Sequence, residues 1–178
     1  MEKYNFSTKL YEACDTDPVR PTFMCVHFIS GFAYASNGCI AVKQSMEYHS
    51  VIDDHFLEGK SIHKESFKQI MTFQFATCNE DGIECKDSDG RSAFFEYFDC
   101  KGDMPDFEKN FQKTSLKSLT FIGFDPEQFH KLSKALYAPN GNIRVQFQGV
   151  DRAMLVDVIG IENQEAIIMP VILNDSLF

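Results

Sequence analysis

Three times along the chain, a stretch with helical spacing gives way to short β-prone segments closed by tight-turn signals, and this order constrains the fold more than any other feature. Asn5 to Asp15 carries Phe6, Leu10 and the pair Ala13, Cys14 at helical spacing, with Ser7 as N-cap. Thr22 to Val42 follows, rich in Phe, Val, Ile, Tyr and Ala. Turn signals at Ser30-Gly31 and Asn37-Gly38 divide it into three antiparallel strands. The second round predicts a helix over Ser61 to Thr72, through Phe67, Ile70 and Met71 with Ser61 as cap. Strands then run from Phe73 to Cys100 around the turns Asn79-Glu80-Asp81-Gly82 and Asp87-Ser88-Asp89-Gly90. In the third round Asp125-Pro126-Glu127 opens a helix, because Asp accepts from free amides, Pro fits the first turn and Glu complements the dipole. That helix runs to about Tyr137 and ends at Ala138-Pro139-Asn140-Gly141. Three strands close the chain: Ile143, Val145 and Phe147, then Met154 to Ile159, then Ala166 to Leu173. The repeat is one of organisation; no residue-level repeat accompanies it.

A chain of 178 residues with 44% hydrophobic residues can bury one good core or two small ones. Eighteen Phe and six Tyr suit strands and a packed interior. Lys101 to Lys117, with Gly102, Pro105 and mixed charges, reads as a connector. It divides the chain into residues 1–105, holding two helix-plus-strands units, and 106–178, holding a third that stands apart or packs with the first. A formal charge of -9 disfavours a simple electrostatic nucleic-acid binder or a membrane-surface protein. No apolar stretch of signal-peptide length follows Met1, and the apolar run from Ala166 is broken by Pro170 far short of a bilayer span. Six cysteines without a CxxC pair read as reduced thiols, mostly core filler, so a cytoplasmic protein without membrane partners is expected.

The chain carries no nucleotide-binding, hydrolase or metalloprotease signature, and the expectation is a non-enzyme that needs no cofactor and no metal. Asp87-Ser88-Asp89-Gly90 fails as a calcium loop, because Arg91 and Phe98 stand where carboxylates are required. It is a hairpin turn. The five histidines never pair at i, i+4, and although Cys25 and His27 share a strand face, two ligands do not make a site. Asp53-Asp54-His55 could supply an acid and a base, and a charged loop explains it equally well. Charge is unevenly spread. Glu80 to Glu108 holds ten acidic against three basic residues, whereas a 100° wheel from Phe129 sets Phe129, Leu132, Ala135 and Leu136 opposite His130, Lys131 and Lys134. That basic arc could meet phosphate, or with Glu127 at i, i+4 to Lys131 it is a solvated helix face. The second helix adds Lys64 and Lys68.

Several segments, in order along nearly the whole chain, resemble the bacterial DNA polymerase III beta-subunit sliding clamp. They are Arg20-Pro21-Thr22-Phe23 with Val26-His27-Phe28, the turn Ala35-Ser36-Asn37-Gly38-Cys39-Ile40-Ala41, and Gly102-Asp103-Met104-Pro105-Asp106-Phe107. Ile122-Gly123-Phe124-Asp125-Pro126 with Phe129, and Ile167-Ile168-Met169-Pro170-Val171-Ile172-Leu173, complete the set. The chain departs from the family pattern at Cys39-Ile40, where the family has His-Arg, and at Val171-Ile172, where it has Met-Arg.

The resemblance implies an α+β, DNA-clamp-like fold of antiparallel sheets with about three helices on one face. It implies a non-enzymatic processivity factor or replication scaffold that holds duplex DNA by encirclement, with sequence-blind phosphate contacts. Lys64, Lys68, His130, Lys131 and Lys134 would face DNA, and Met169, Pro170 and Leu173 would form part of a partner-peptide pocket for polymerase or replication proteins, or, read from the residues alone, are plain core apolars of a strand. Three helix-plus-sheet units amount to one and a half clamp domains, so a closed ring would need several copies as a homo-oligomer. The alternative is a clamp-derived protein-interaction module that does not encircle DNA.

Overall fold

The computed structural model describes residues 3–100, 106–118 and 122–171, apart from the side chains of Glu108 and Asn110. Its main element is a seven-stranded, wholly antiparallel sheet in the order β4-β1-β2-β3-β10-β9-β8. The strands are β1 (Cys25–Ile29), β2 (Phe32–Ser36), β3 (Ile40–Ser45), β4 (Ser61–His63), β8 (Ile143–Gln146), β9 (Met154–Val158) and β10 (Gln164–Ile168). A second sheet, β5 (Phe75–Cys78), β6 (Gly82–Lys86) and β7 (Ser92–Glu96), closes the same core from the side. All nine expected strands are present within a few residues, and the chain has the α+β, sliding-clamp-like architecture expected of it. The last strand ends sooner than expected, at Ile168.

The β1–β2 connection shows why the register is so well specified. Ser30 and Gly31 both take positive φ (51° and 77°), the geometry of a two-residue turn that matches strand twist. The Glu58 carboxylate accepts from both turn amides, at 2.8 and 3.3 Å, which holds the serine in a conformation it otherwise avoids. In the small sheet Gly82 is required for a different reason. A Cβ there would stand 2.3 Å from the Phe95 carbonyl oxygen and 2.8 Å from the Phe94 ring.

The helices depart from expectation in informative ways. Asn5 to Asp15 forms only a single 3-10 turn, Leu10–Ala13, and Lys9, not Ser7, precedes it without a side-chain cap. Long-range bonds win over helix formation here. The buried Asn5 side chain donates to the Ile70 and Phe73 carbonyls at 2.8 and 2.9 Å, and Tyr4 bridges to β5. Ser61 does not cap the second helix but lies in β4; the helix, α1, is Lys64–Ile70, and the His63 Nδ1 accepts from the Glu65 amide at 3.3 Å. Within the expected connector, α2 (Phe107–Asn110) is a single turn capped by Asp106, which accepts from the Lys109 amide at 3.1 Å. The third helix, α3 (Pro126–Ala135), begins as expected, with the Asp125 carboxylate accepting from the Glu127 amide at 2.8 Å.

Alternation along the strands splits the large sheet into two covered faces. Val26, Phe28, Ala33, Ala35, Ile40, Val42, Val156 and Ile168 meet the 3-10 turn, α1 and α3 through Leu10, Phe67, Ile70, Leu132 and Ala135. On the opposite face Tyr34, Ala41, Leu155 and Ile167 are covered by Phe107 and Phe111, with the Phe107 ring stacked on Tyr34 at 5.0 Å between centroids.

One pairing joins the third unit to the first. β3 and β10 align Gln44 with Gln164, both buried, and their side chains bond directly to each other. The Thr8 hydroxyl donates to Gln44 at 2.6 Å, while Gln164 accepts from the Tyr137 amide at 2.8 Å and donates to its carbonyl at 3.1 Å. Replacing one member strands the others in a dry interior. Gln164→Leu is expected to cost about 3 kcal/mol in urea denaturation, and the Gln44→Leu, Gln164→Leu double variant less than the sum of the two single variants. Gly82→Ala is expected to cost about 2 kcal/mol in the same assay, because the nearest neighbour is backbone and cannot yield.

Candidate nucleic-acid interface

The three helical pieces lie side by side over one face of the sheet, with the Leu10–Ala13 turn between α1 and α3. Their sheet-facing sides are apolar, as the expected arc of Leu132 and Ala135 requires, so their polar residues are left on the outside. There, Lys68, His130 and Lys134 are exposed and Lys64 and Lys131 half-buried. Lys131 is tied to Glu127 at 2.9 Å, and Lys134 lies 3.9 Å from Glu12 on the central turn. Lys9, Lys64 and Lys68 have no ion-pair partner among the described residues.

Lys9 was not among the sequence-derived candidates. The expected helix over Asn5 to Asp15 gave it no distinctive position, whereas in the structure it shares a cleft of about 340 Å³ with Ser7, Thr8, Lys134 and Tyr137. The helical pieces together carry four lysines (Lys64, Lys68, Lys131, Lys134) against three glutamates (Glu12, Glu65, Glu127), a balance of +1 on a chain of formal charge -9, which leaves the rest at -10; counting the residues that precede the turn and α3, Lys9 and Asp125, leaves that balance unchanged. The sign of the surface therefore changes between the helix layer and the remainder of the molecule.

Four of the five motif segments scattered through the sequence, all but that ending at Phe107, have residues that come together at one end of the β3–β10 pairing. The Asn37 side chain accepts from the Cys39 and Ile40 amides at 2.9 and 3.0 Å and donates to Gln128 of α3 at 2.8 Å. A Cβ on Gly38 would stand 3.2 Å from the Arg20 guanidinium, which itself pairs with Asp15. The Met169 amide donates to the Cys39 carbonyl at 2.8 Å, and Val171 bridges to Gly123 just before α3. Met169 and Val171 are exposed by 42% and 46%, beside Phe124 at 45% and half-buried Pro170, an apolar patch exposed among the described residues. Leu173 lies outside the described residues, as do Gly102 to Pro105.

The remaining chemical candidates are structurally occupied. Asp54 and His55 line a cleft of about 180 Å³, but its third polar group, Glu58, is bound to the β1–β2 turn, and the His55 ring lies on Phe56 at 4.2 Å. Asp53 is exposed at the head of that loop. In the Asp87 hairpin, Asp87 accepts from the Gln74 amide at 2.6 Å and pairs with Arg91 at 2.7 Å. His27 is buried between the Ser61 hydroxyl (2.8 Å) and the Thr22 carbonyl (2.7 Å) on the outer face. No group of three metal-ligating side chains occurs, and no helix is long and apolar enough to cross a membrane, among the described residues.

This arrangement of sheets and helices is that of the DNA sliding clamps. The solved structures that the chain resembles include the DNA polymerase sliding clamp of Bacillus subtilis, at 13% identity and TM-score 0.69, covering 94% of this chain and 60% of that one. The DNA polymerase III beta chain of Streptococcus pneumoniae matches at 13% identity and TM-score 0.65 (93% and 62%). The beta subunit of Thermotoga maritima matches at 10% identity and TM-score 0.64 (98% and 68%). The chain thus matches about three fifths of the length of the Bacillus and Streptococcus clamps. No family model and no curated protein matches it.

Buried histidine makes the layer's stability pH-dependent. The His49 Nδ1 accepts from the Ser7 amide at 3.1 Å, its Nε2 is enclosed without a partner among the described residues, and burial lowers its pKa to about 4. The unfolded chain takes up this proton near pH 6.5 and the folded chain only near 4. Stability is therefore full above about 6.5 and is lost as pH falls to about 4, by about 3 kcal/mol. Denaturant titrations across that window are expected to show the slope, and His49→Asn to flatten it.

Proposed function

We propose that the chain is a non-enzymatic, sliding-clamp-like scaffold of DNA replication that meets duplex DNA through its helix layer. The observation that carries the reading is the reversal of charge. A body that is acidic overall carries its excess of lysine on the helical face of a clamp fold, where contacts to phosphate need no sequence information. Lys64, Lys68, His130, Lys131 and Lys134 are the DNA-facing residues in this reading, with Lys9 added from the cleft beside Lys134. Met169, Pro170 and Leu173, extended by exposed Phe124 and Val171, supply the surface for a partner peptide from a polymerase or another replication protein. A closed ring takes several copies, because the chain matches only about three fifths of the Bacillus clamp.

A second reading, a clamp-derived interaction module that does not encircle DNA, draws on the ion pairs Lys131–Glu127 and Lys134–Glu12, which occupy two of the basic groups. Retention on nicked circular plasmid, measured beside solution mass by light scattering, separates the two. Encirclement gives a multimer that stays on the circle and is released when the plasmid is linearised. A strict monomer with no retention leaves the interaction module. Whatever the oligomeric state, Lys131→Glu with Lys134→Glu is expected to abolish salt-sensitive DNA affinity with folding intact, and Lys9→Ala with Lys68→Ala to lower the log–log salt slope by about 2.

A further inference from the structure

Two cysteines far apart in sequence meet on the outer face of the large sheet. Cys25 opens β1, fully buried, and its register partner is His63 of β4. The His63 ring packs on Phe98 at 5.4 Å, and the Phe98 amide donates to the Ser61 carbonyl at 2.8 Å, so the chain leaving β7 is laid along β4. That path brings Cys100 beside Cys25, whose thiol points to the Pro21 carbonyl at 3.6 Å and interacts with the Cys100 thiol. Their access differs. Cys100 is half-buried and lines a cleft of about 360 Å³ with Lys60, Tyr97 and Asp99, whereas Cys25 is sealed beneath it.

We propose that Cys100 and Cys25 form a redox-active pair, in which Cys100 reacts through this cleft with a low-molecular-weight disulfide such as glutathione disulfide and Cys25 resolves the product. In the first step the Cys100 sulfur, its proton lost to water, attacks one sulfur of the small disulfide. A new S–S bond forms, the old one breaks, and one small thiolate leaves and is protonated. In the second, the Cys25 sulfur, likewise deprotonated, attacks the Cys100 sulfur and displaces the other small thiolate, which takes up a proton. Two protein thiols are oxidised to one disulfide and one small disulfide is reduced to two thiols. Access assigns the opening attack to Cys100, which lines the cleft, whereas Cys25 is fully buried, and burial also pushes the Cys25 thiol up. The product ties the residue leading towards α2 to the strand on which α2 packs, through Phe107 against His27, two residues from Cys25, at 5.6 Å.

The other thiols serve as internal controls. Cys39 is exposed, with no thiol beside it among the described residues, and should keep glutathione as a mixed disulfide. Cys78 and Cys85 are buried within the core, and the Cys14 thiol points to the Leu10 carbonyl at 3.9 Å. The reduced full chain is equilibrated with glutathione and glutathione disulfide in varying ratio, quenched with acid, alkylated under denaturing conditions and peptide-mapped by mass. The expected result is a Cys25–Cys100 linked peptide, glutathione on Cys39, and Cys14, Cys78 and Cys85 alkylated. In Cys25→Ala, Cys100 should retain glutathione; in Cys100→Ser, Cys25 should be alkylated at every ratio. The unaltered chain decides the matter should Cys25→Ala fail to fold. Glutathione retained on its Cys100 with Cys25 alkylated, or a link from Cys25 to Cys14 or Cys39, would overturn the proposal.

Discussion

Ile40–Ser45 would be an edge strand if only the first hundred residues were present, with a row of unpaired backbone groups and two apolar faces open on one side. Gln164–Ile168 arrives on that edge and removes both problems, since the ladder is continued and the strands behind it extend both faces. The pairing also brings Gln44 opposite Gln164, a polar contact in a largely apolar interior. A slip of β10 by one residue would turn Gln164 to the other face and leave Gln44 and the Tyr137 backbone without that partner. The network therefore fixes alignment as well as adding bonds, and α3, which rides on the same unit, is fixed with it.

What could be read from the residues alone was what is encoded locally. The hairpins at Ser30-Gly31, Asn37-Gly38, Asn79 to Gly82 and Asp87 to Gly90 depend on residues that sit in the turn itself, and Asp125-Pro126 is a helix start within three positions. Where distant partners intervene, local pattern misleads. Asn5 has a helical context, yet its side-chain amide is spent on carbonyls at and just past the end of α1, and Ser61 looks like a cap while its backbone is claimed by β1. For the basic face, the arc on α3 was visible because its apolar and polar residues separate cleanly on a wheel. Lys9 was not, since its place beside Lys134 exists only once the third unit has docked.

The segments that resemble the sliding clamps gain a physical meaning from their meeting place. Arg20, the Asn37-Gly38 turn, Gly123, Gln128 and Met169 are contacts around one end of a single strand pairing, joined by short hydrogen bonds and one close approach to a glycine. Residues that must fit one another in so small a volume are constrained in type by that fit, whereas residues whose only task is to fill a core exchange more freely for others of similar volume.

The segregation of charge has a further consequence for how such a molecule approaches a polyanion. At distances where only the sum is felt, a body of formal charge -9 is repelled. Within a Debye length of about 8 Å at physiological salt the sum gives way to the nearest face, and the excess of lysine on the helix layer presents an attraction there. Such a particle is selective in orientation before it makes any contact, since an approach on an acidic face is repelled and one on the helices is favoured.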